Sequence, residues 1–169
     1  MRIVVALVGL LAVTVTASSA RESQWHSRDQ ARVASAINGL ADSPAKFVIY
    51  SLRPWPRPRD ESGRPERVFH GYHVLGQAEI SDAKERRRLA QALARGAREN
   101  DSMLANCFEP RHGLHIEQSG RSVDLVICFE CLRGHAYGFP PDSEFLTSAS
   151  PQPTFDDSLR RHQLRLAPK

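Results

Sequence analysis

Residues 114–130, LHIEQSGRSVDLVICFE, restrict what this chain can fold into more than any other stretch, because a short polar connection containing glycine separates two alternating segments. The pattern is that of a β-hairpin in which Leu114 to Gln118 pairs with Val123 to Glu130 across Ser119-Gly120-Arg121-Ser122. Successive strand side chains point to opposite faces. Leu114, Ile116, Val123, Leu125, Ile127 and Phe129 therefore share an apolar face, and His115, Glu117, Asp124, Val126, Cys128 and Glu130 share the other. A two-residue turn at Ser119-Gly120 or Gly120-Arg121 preserves this partition, whereas a three-residue loop breaks it. An apolar sheet face needs a covering layer, which the flanking sequence must supply.

Two helices precede the hairpin. Ser27 can cap Arg28 to Leu40, where Val33, Ala36, Ile37 and Leu40 recur at helical spacing. Ser81 can cap a helix running through about Arg98, with Leu89, Ala90, Leu93, Ala94 and Ala97 as its buried stripe and Gly96 and Asn100 marking its end. The run Lys84-Glu85-Arg86-Arg87-Arg88 spreads around that helix and reads as a solvated face. Asn100-Asp101-Ser102 has the form of a glycosylation acceptor.

Between the helices, Lys46 to Leu52 is a short β-branched and aromatic run that suits a strand. Residues 53–67, RPWPRPRDESGRPER, hold too many prolines for a hydrogen-bonded ladder and form a loop. Val68 to Ile80 resumes β character as one strand or a bent pair, with Gly71 and Gly76 at a bend or bulge; His70 and His73 read as structural, since an odd separation on a strand points them apart. After the hairpin, Leu132-Arg133-Gly134 turns the chain into a further strand, His135 to Phe139, ended by Pro140-Pro141. Residues 147–169 are a loop followed by a short helix capped by Thr154, with Phe155, Leu159 and His162 on one side. The expected class is α+β: an antiparallel or mixed sheet with helices packed mainly on one face.

The N-terminus reads as a signal peptide over residues 1–20. Arg2 precedes the apolar run Ile3 to Val13, and Ser18 and Ala20 stand where a signal peptidase reads small residues. The apolar run is shorter than the roughly 20 residues that a spanning helix needs, and no later stretch reaches 18 apolar residues. Residues 21–169 are then expected to form a single soluble domain, exported to the periplasm or beyond the cell. Arg2 leaves with the signal, so 22 Lys and Arg face 19 Asp and Glu, a net +3. So mild a balance argues against nucleic acid as a partner.

Three cysteines, Cys107, Cys128 and Cys131, are an odd set for an oxidising compartment, so one sulfur must be left out of any internal bridge. Cys107 opens CFEPRHGLH, which contributes Arg111, His112 and His115 and runs straight into the hairpin carrying Cys128. With VDLVICFEC at 123–131, CFEPRHG resembles an uncharacterised group of small exported bacterial proteins. The resemblance covers about Phe69 to Cys131; it implies a bacterial exported protein and brings no activity, cofactor or site residues.

Three readings of the cysteines compete. The first is a disulfide from Cys107 to Cys128 or Cys131, closing about 20 to 25 residues for roughly 3 kcal/mol in the chain-entropy model. The second is a zinc or copper site of the three cysteines with His112 or His115, which requires the chain to turn at Glu130 or Cys131. The third is redox cycling of Cys128 and Cys131, ranked last because no helix N-terminus follows to activate a thiol. Arg111, His112, His115, Asp124 and Glu130 could instead line one hydrolytic cleft, but G-x-S-x-G, H-E-x-x-H and the phosphate-binding glycine motifs are all missing. The sequence thus ranks a non-catalytic binding or structural module first, a metal-binding protein second and an envelope enzyme third.

Overall fold

The computed structural model describes residues 30–55, 67–138 and 143–168. The expected signal peptide, the expected Ser27 cap, most of the 53–67 loop and Pro140-Pro141 lie outside them. The β-branched and aromatic run at 46–52 forms β1, Lys46–Leu52. The bent pair is two strands, β2 (Val68–Phe69) and β3 (Tyr72–Glu79), joined by His70-Gly71. Both turn residues have positive φ, 47° and 86°, the geometry of a tight hairpin whose twist matches its strands.

The hairpin of the sequence is β4 (His112–Gln118) and β5 (Arg121–Cys128), turning on Ser119-Gly120, again with φ positive at both residues. Leu114 lies opposite Leu125 and Ile116 opposite Val123, which is the expected partition of faces. The second segment leaves the sheet at Cys128, so Phe129 and Glu130 belong to a turn and not to the strand. β6 (Arg133–Tyr137) starts two residues before the expected His135, and β7 (Ser143–Leu146), absent from the sequence reading, follows it.

All seven strands join one sheet in the order β2-β3-β1-β4-β5-β6-β7, and every pairing is antiparallel. β3 and β4 both flank β1, so they run parallel to each other. A parallel pair cannot be joined by a tight turn; the connection is α2, Ala83–Glu99, and the segment after it.

The helical residues 30–39 form α1, and α3 is Gln152–Arg161. Side chains from all three helices (Ala34 and Ile37; Leu89, Leu93, Ala94 and Ala97; Phe155 and Leu159) share one core with the alternating Phe47, Ile49, Leu114, Ile116, Leu125 and Ile127. The N-cap of α2 is Asp82 and not Ser81: its carboxylate accepts the Lys84 backbone N–H at 2.9 Å. Gly96 is not a stop signal but a contact, because a Cβ there would collide with Thr147 and Pro151. Asn100 does end the helix, and its buried amide donates to the carbonyls of Met103 (2.8 Å) and Thr147 (2.9 Å). That amide nitrogen is the atom glycosylation would require.

Glu85 departs from the solvated face expected of residues 84–88. It is buried, accepts a hydrogen bond from the Ser158 hydroxyl at 2.7 Å and lies 3.2 Å from His162 Nε2 and 3.4 Å from Arg161. Burial alone would raise its pKa, but the bonds from Ser158 and His162 and the Arg161 charge outweigh that and hold it below the ordinary range. α3 starts earlier than a Thr154 cap allows, with Pro151 at its N-cap and Pro153 in its first turn. Beyond it the chain runs back over the sheet, where Ser51 donates to the Arg165 carbonyl at 2.6 Å.

The opposite sheet face is not an open, solvated surface. Val126, assigned to it by alternation, is fully buried with Leu52, Phe69 and Val74. The reason is curvature: the β2–β3 hairpin folds across the sheet, so that His70 reaches Asp124 on β5 and Tyr137 on β6. Phe69 lies directly over Gly113, where a Cβ would meet its ring at 2.9 Å.

Candidate functional site

Cys128 ends β5, and the following four-residue turn, closed by Leu132 at φ 59°, brings Cys131 back beside it. These two form the disulfide, with Cα atoms 5.1 Å apart. The bridge expected from Cys107 is therefore replaced by a local one. Strand residues three apart face opposite ways, but Cys131 is no longer on the strand. Closing so short a loop is worth about 2 kcal/mol in the chain-entropy model, less than the long bridge would give. Cys107 is an exposed free thiol whose Sγ nevertheless stands 2.8 Å from Cys131 Sγ. Three sulfurs thus converge at one end of the sheet. Arg133 fixes the Cys107 backbone there, donating to its carbonyl at 2.8 Å while its guanidinium lies over the Phe108 ring.

The histidines do not join them. His112 and His115 are three apart on β4 and face opposite ways, so the expected shared cluster is split. His112, on the helix-bearing side, lies against the rings of Phe129 and Phe155 with its Nε2 2.8 Å from Asp156. Beside it Arg111 is buried, donating to Glu130 at 2.7 Å and to the Pro168 carbonyl at 3.0 Å, which pins the C-terminal segment. Glu109, Arg111, His112, Phe129, Glu130 and Gln152 border a shallow depression that encloses no room even for a water molecule, so this hollow is not a site for a small organic molecule.

Asp124 and His115, the other two members of the expected cleft, lie on the far face. The cleft of Arg111, His112, His115, Asp124 and Glu130 is thus two separate groups, divided by the sheet itself. On the far face Asp124 is gripped from both sides: Oδ1 is 2.6 Å from His115 Nδ1 and Oδ2 is 2.7 Å from His70 Nε2. His115 Nε2 in turn lies 3.0 Å from Glu117, which is 3.7 Å from Lys46. Burial alone would lower the His115 pKa, but hydrogen bonds to Glu117 and Asp124, with their charges, outweigh it and raise the value.

Aromatic rings continue this line. Tyr50 stacks on Phe69 (4.3 Å between centroids), Phe69 meets His70 edge-on, and His70 stacks flat on Tyr137 at 3.8 Å. A second set, Tyr72, Phe108 and His135, runs alongside in edge-to-face contacts. Burial, with the Asp124 charge, raises the pKa of Tyr50. The sequence reading put His70 on a strand; it stands instead at the tip of the β2–β3 hairpin, where it joins this array. The available signal was His70-Gly71 itself, a turn dipeptide between two apolar segments, which puts the histidine at a hairpin tip.

Chemically, the His70–Asp124–His115 group can exchange protons and hold charge, but no serine, cysteine or threonine nucleophile is hydrogen-bonded to either histidine among the described residues. No group of three or more His, Cys, Asp or Glu side chains among the described residues is arranged to hold a metal ion. Zinc or copper would find two of the three candidate sulfurs already bonded to each other. No helix among the described residues is long and apolar enough to cross a membrane. Comparison with protein-family models, with curated proteins and with solved structures yields no match.

Proposed function

We propose that this chain is an exported, non-catalytic binding module of the bacterial envelope that presents the His70–Asp124–His115 face to its partner. One observation carries the reading. The ring ladder from Tyr50 to Tyr137 is rigidly built across that face, yet its far end is open, with Tyr137 38% exposed. Aromatic side chains with polar tips, beside partly exposed charges, are the usual anchors of binding surfaces. Export is supported by the leader at residues 1–20, and the Cys128–Cys131 disulfide is compatible with it.

The test has two parts. Cell fractionation with N-terminal sequencing should find the protein outside the cytoplasm and beginning at Arg21; recovery of intact Met1 in membranes refutes export. Purified protein should then co-sediment with isolated cell envelopes, and Tyr137→Ala should reduce this while Arg87→Ala, on the exposed side of α2, does not. Equal sedimentation of both variants, or no sedimentation of the wild type, removes this face as the binding surface.

A further inference from the structure

The sulfur cluster is unused by that binding surface and supports an inference independent of it. Cys128 and Cys131 are 1% and 0% exposed, so an external thiol has no direct approach to their disulfide. Cys107 is exposed, and its Sγ stands 2.8 Å from Cys131 Sγ, in direct contact and closer than the roughly 3–3.5 Å at which reacting atoms are poised for attack. The backbone is disposed to favour sulfur anions at both buried positions: the Cys131 N–H points to Cys128 Sγ at 3.1 Å, and the Glu109 N–H to Cys131 Sγ at 3.4 Å. We propose that Cys107 is an exchange cysteine, through which thiol and disulfide reagents outside the protein make and break the buried Cys128–Cys131 bond.

The steps balance without a further oxidant. The Cys107 thiolate attacks Cys131 Sγ, the Cys128–Cys131 bond breaks, and Cys128 leaves as a thiolate held by the Cys131 N–H; the product is a Cys107–Cys131 disulfide. An external thiolate then attacks the accessible Cys107 Sγ, giving a mixed disulfide at Cys107 and a Cys131 thiolate. A second external thiolate attacks the outer sulfur of that mixed disulfide, releasing the external reagent as its disulfide and restoring the Cys107 thiolate. Two external thiols are oxidised and one protein disulfide is reduced. The reverse sequence oxidises the protein with an external disulfide. This differs from redox cycling by a reactive Cys128 or Cys131, since neither buried sulfur meets the reagent. The reagent class is a small thiol or an exposed cysteine of another protein.

Glutathione is the probe. Purified full-length exported protein is incubated with excess reduced glutathione, quenched with acid, alkylated and mapped by mass spectrometry. Cys107→Ser should slow reduction of the Cys128–Cys131 bond on the order of tenfold or more, because the accessible entry is lost. Circular dichroism checks that this exposed substitution leaves the fold intact. Cys128→Ser, oxidised with glutathione disulfide, should yield a Cys107–Cys131 bridge. Equal reduction rates for wild type and Cys107→Ser overturn the proposal, as does a faster rate in the variant. So does a folded Cys128→Ser protein that ends with no Cys107–Cys131 bridge. Repeating the reduction with a cysteine-containing peptide separates a preference for protein thiols from one for small thiols.

Discussion

Asp124→Ala is the sharpest probe of the face assigned to binding, because one carboxylate holds two histidines from distant segments. It removes hydrogen bonds of 2.6 Å to His115 and 2.7 Å to His70. Hydrogen bonds to a charged group contribute about 1.5–3 kcal/mol each when buried. Here the three side chains remain 20–26% exposed, so water can replace part of what is lost. Discounting for that gives a total of roughly 2 kcal/mol. The loss should depend on pH, and its sign follows from His115. Its folded pKa is raised, so its contribution is fully present below the unfolded value of about 6.5 and is lost as pH rises through the folded value. Urea unfolding at about pH 5.5 and about pH 8.5 should therefore show a larger cost of Asp124→Ala at the lower pH. A cost below about 0.5 kcal/mol at the lower pH, or one equal at both, would refute the ion-pair account of this cluster. Combining the change with His70→Ala in a double-mutant cycle should give a coupling of about 0.5–1.5 kcal/mol, and none if the hairpin tip does not engage Asp124.

Two further changes test the fold that positions the site. Ile127→Ala truncates a fully buried side chain in the core shared with Leu89 and Leu93, and should cost roughly 2–5 kcal/mol; an unchanged denaturant midpoint would mean the face is misassigned. Asn100→Ala strands the carbonyls of Met103 and Thr147 and the Ser102 N–H, so a loss of about 2–3 kcal/mol is expected in chemical denaturation. If instead the wild-type protein carries a glycan on Asn100, this buried role is wrong.

Several features needed nothing beyond the sequence. The β1 segment, the partition of Leu114, Ile116, Leu125 and Ile127 from His115 and Asp124, and the stripe of α2 from Leu89 to Ala97 follow from local periodicity, because side-chain direction in a strand or helix is set by neighbours a few residues away. The sequence left two turns open, Ser119-Gly120 and Gly120-Arg121, and the structure selects the first, with the face partition the same in either. Convergence of Cys107 with the hairpin was also legible, since the segment carrying it leads directly into β4.

What only the tertiary structure decided are relations between residues far apart in sequence, or exceptions to alternation. Cys131 pairs with Cys128 because the chain leaves the strand after Cys128, and that turn is not announced by a glycine or proline. Glu85 is buried because α3 and its C-cap, more than seventy residues on, bring Ser158 and His162 to it. His70 meets Asp124 across 54 positions only because the sheet curls. Curvature arises from strand twist summed over seven strands and the bulge opposite Ser51-Leu52, a collective property that no single segment encodes. The division of the cleft is local by contrast: alternation along β4 turns His112 and His115 to opposite faces, and the turn after Cys128 carries Glu130 away from Asp124 to the side of Arg111 and His112.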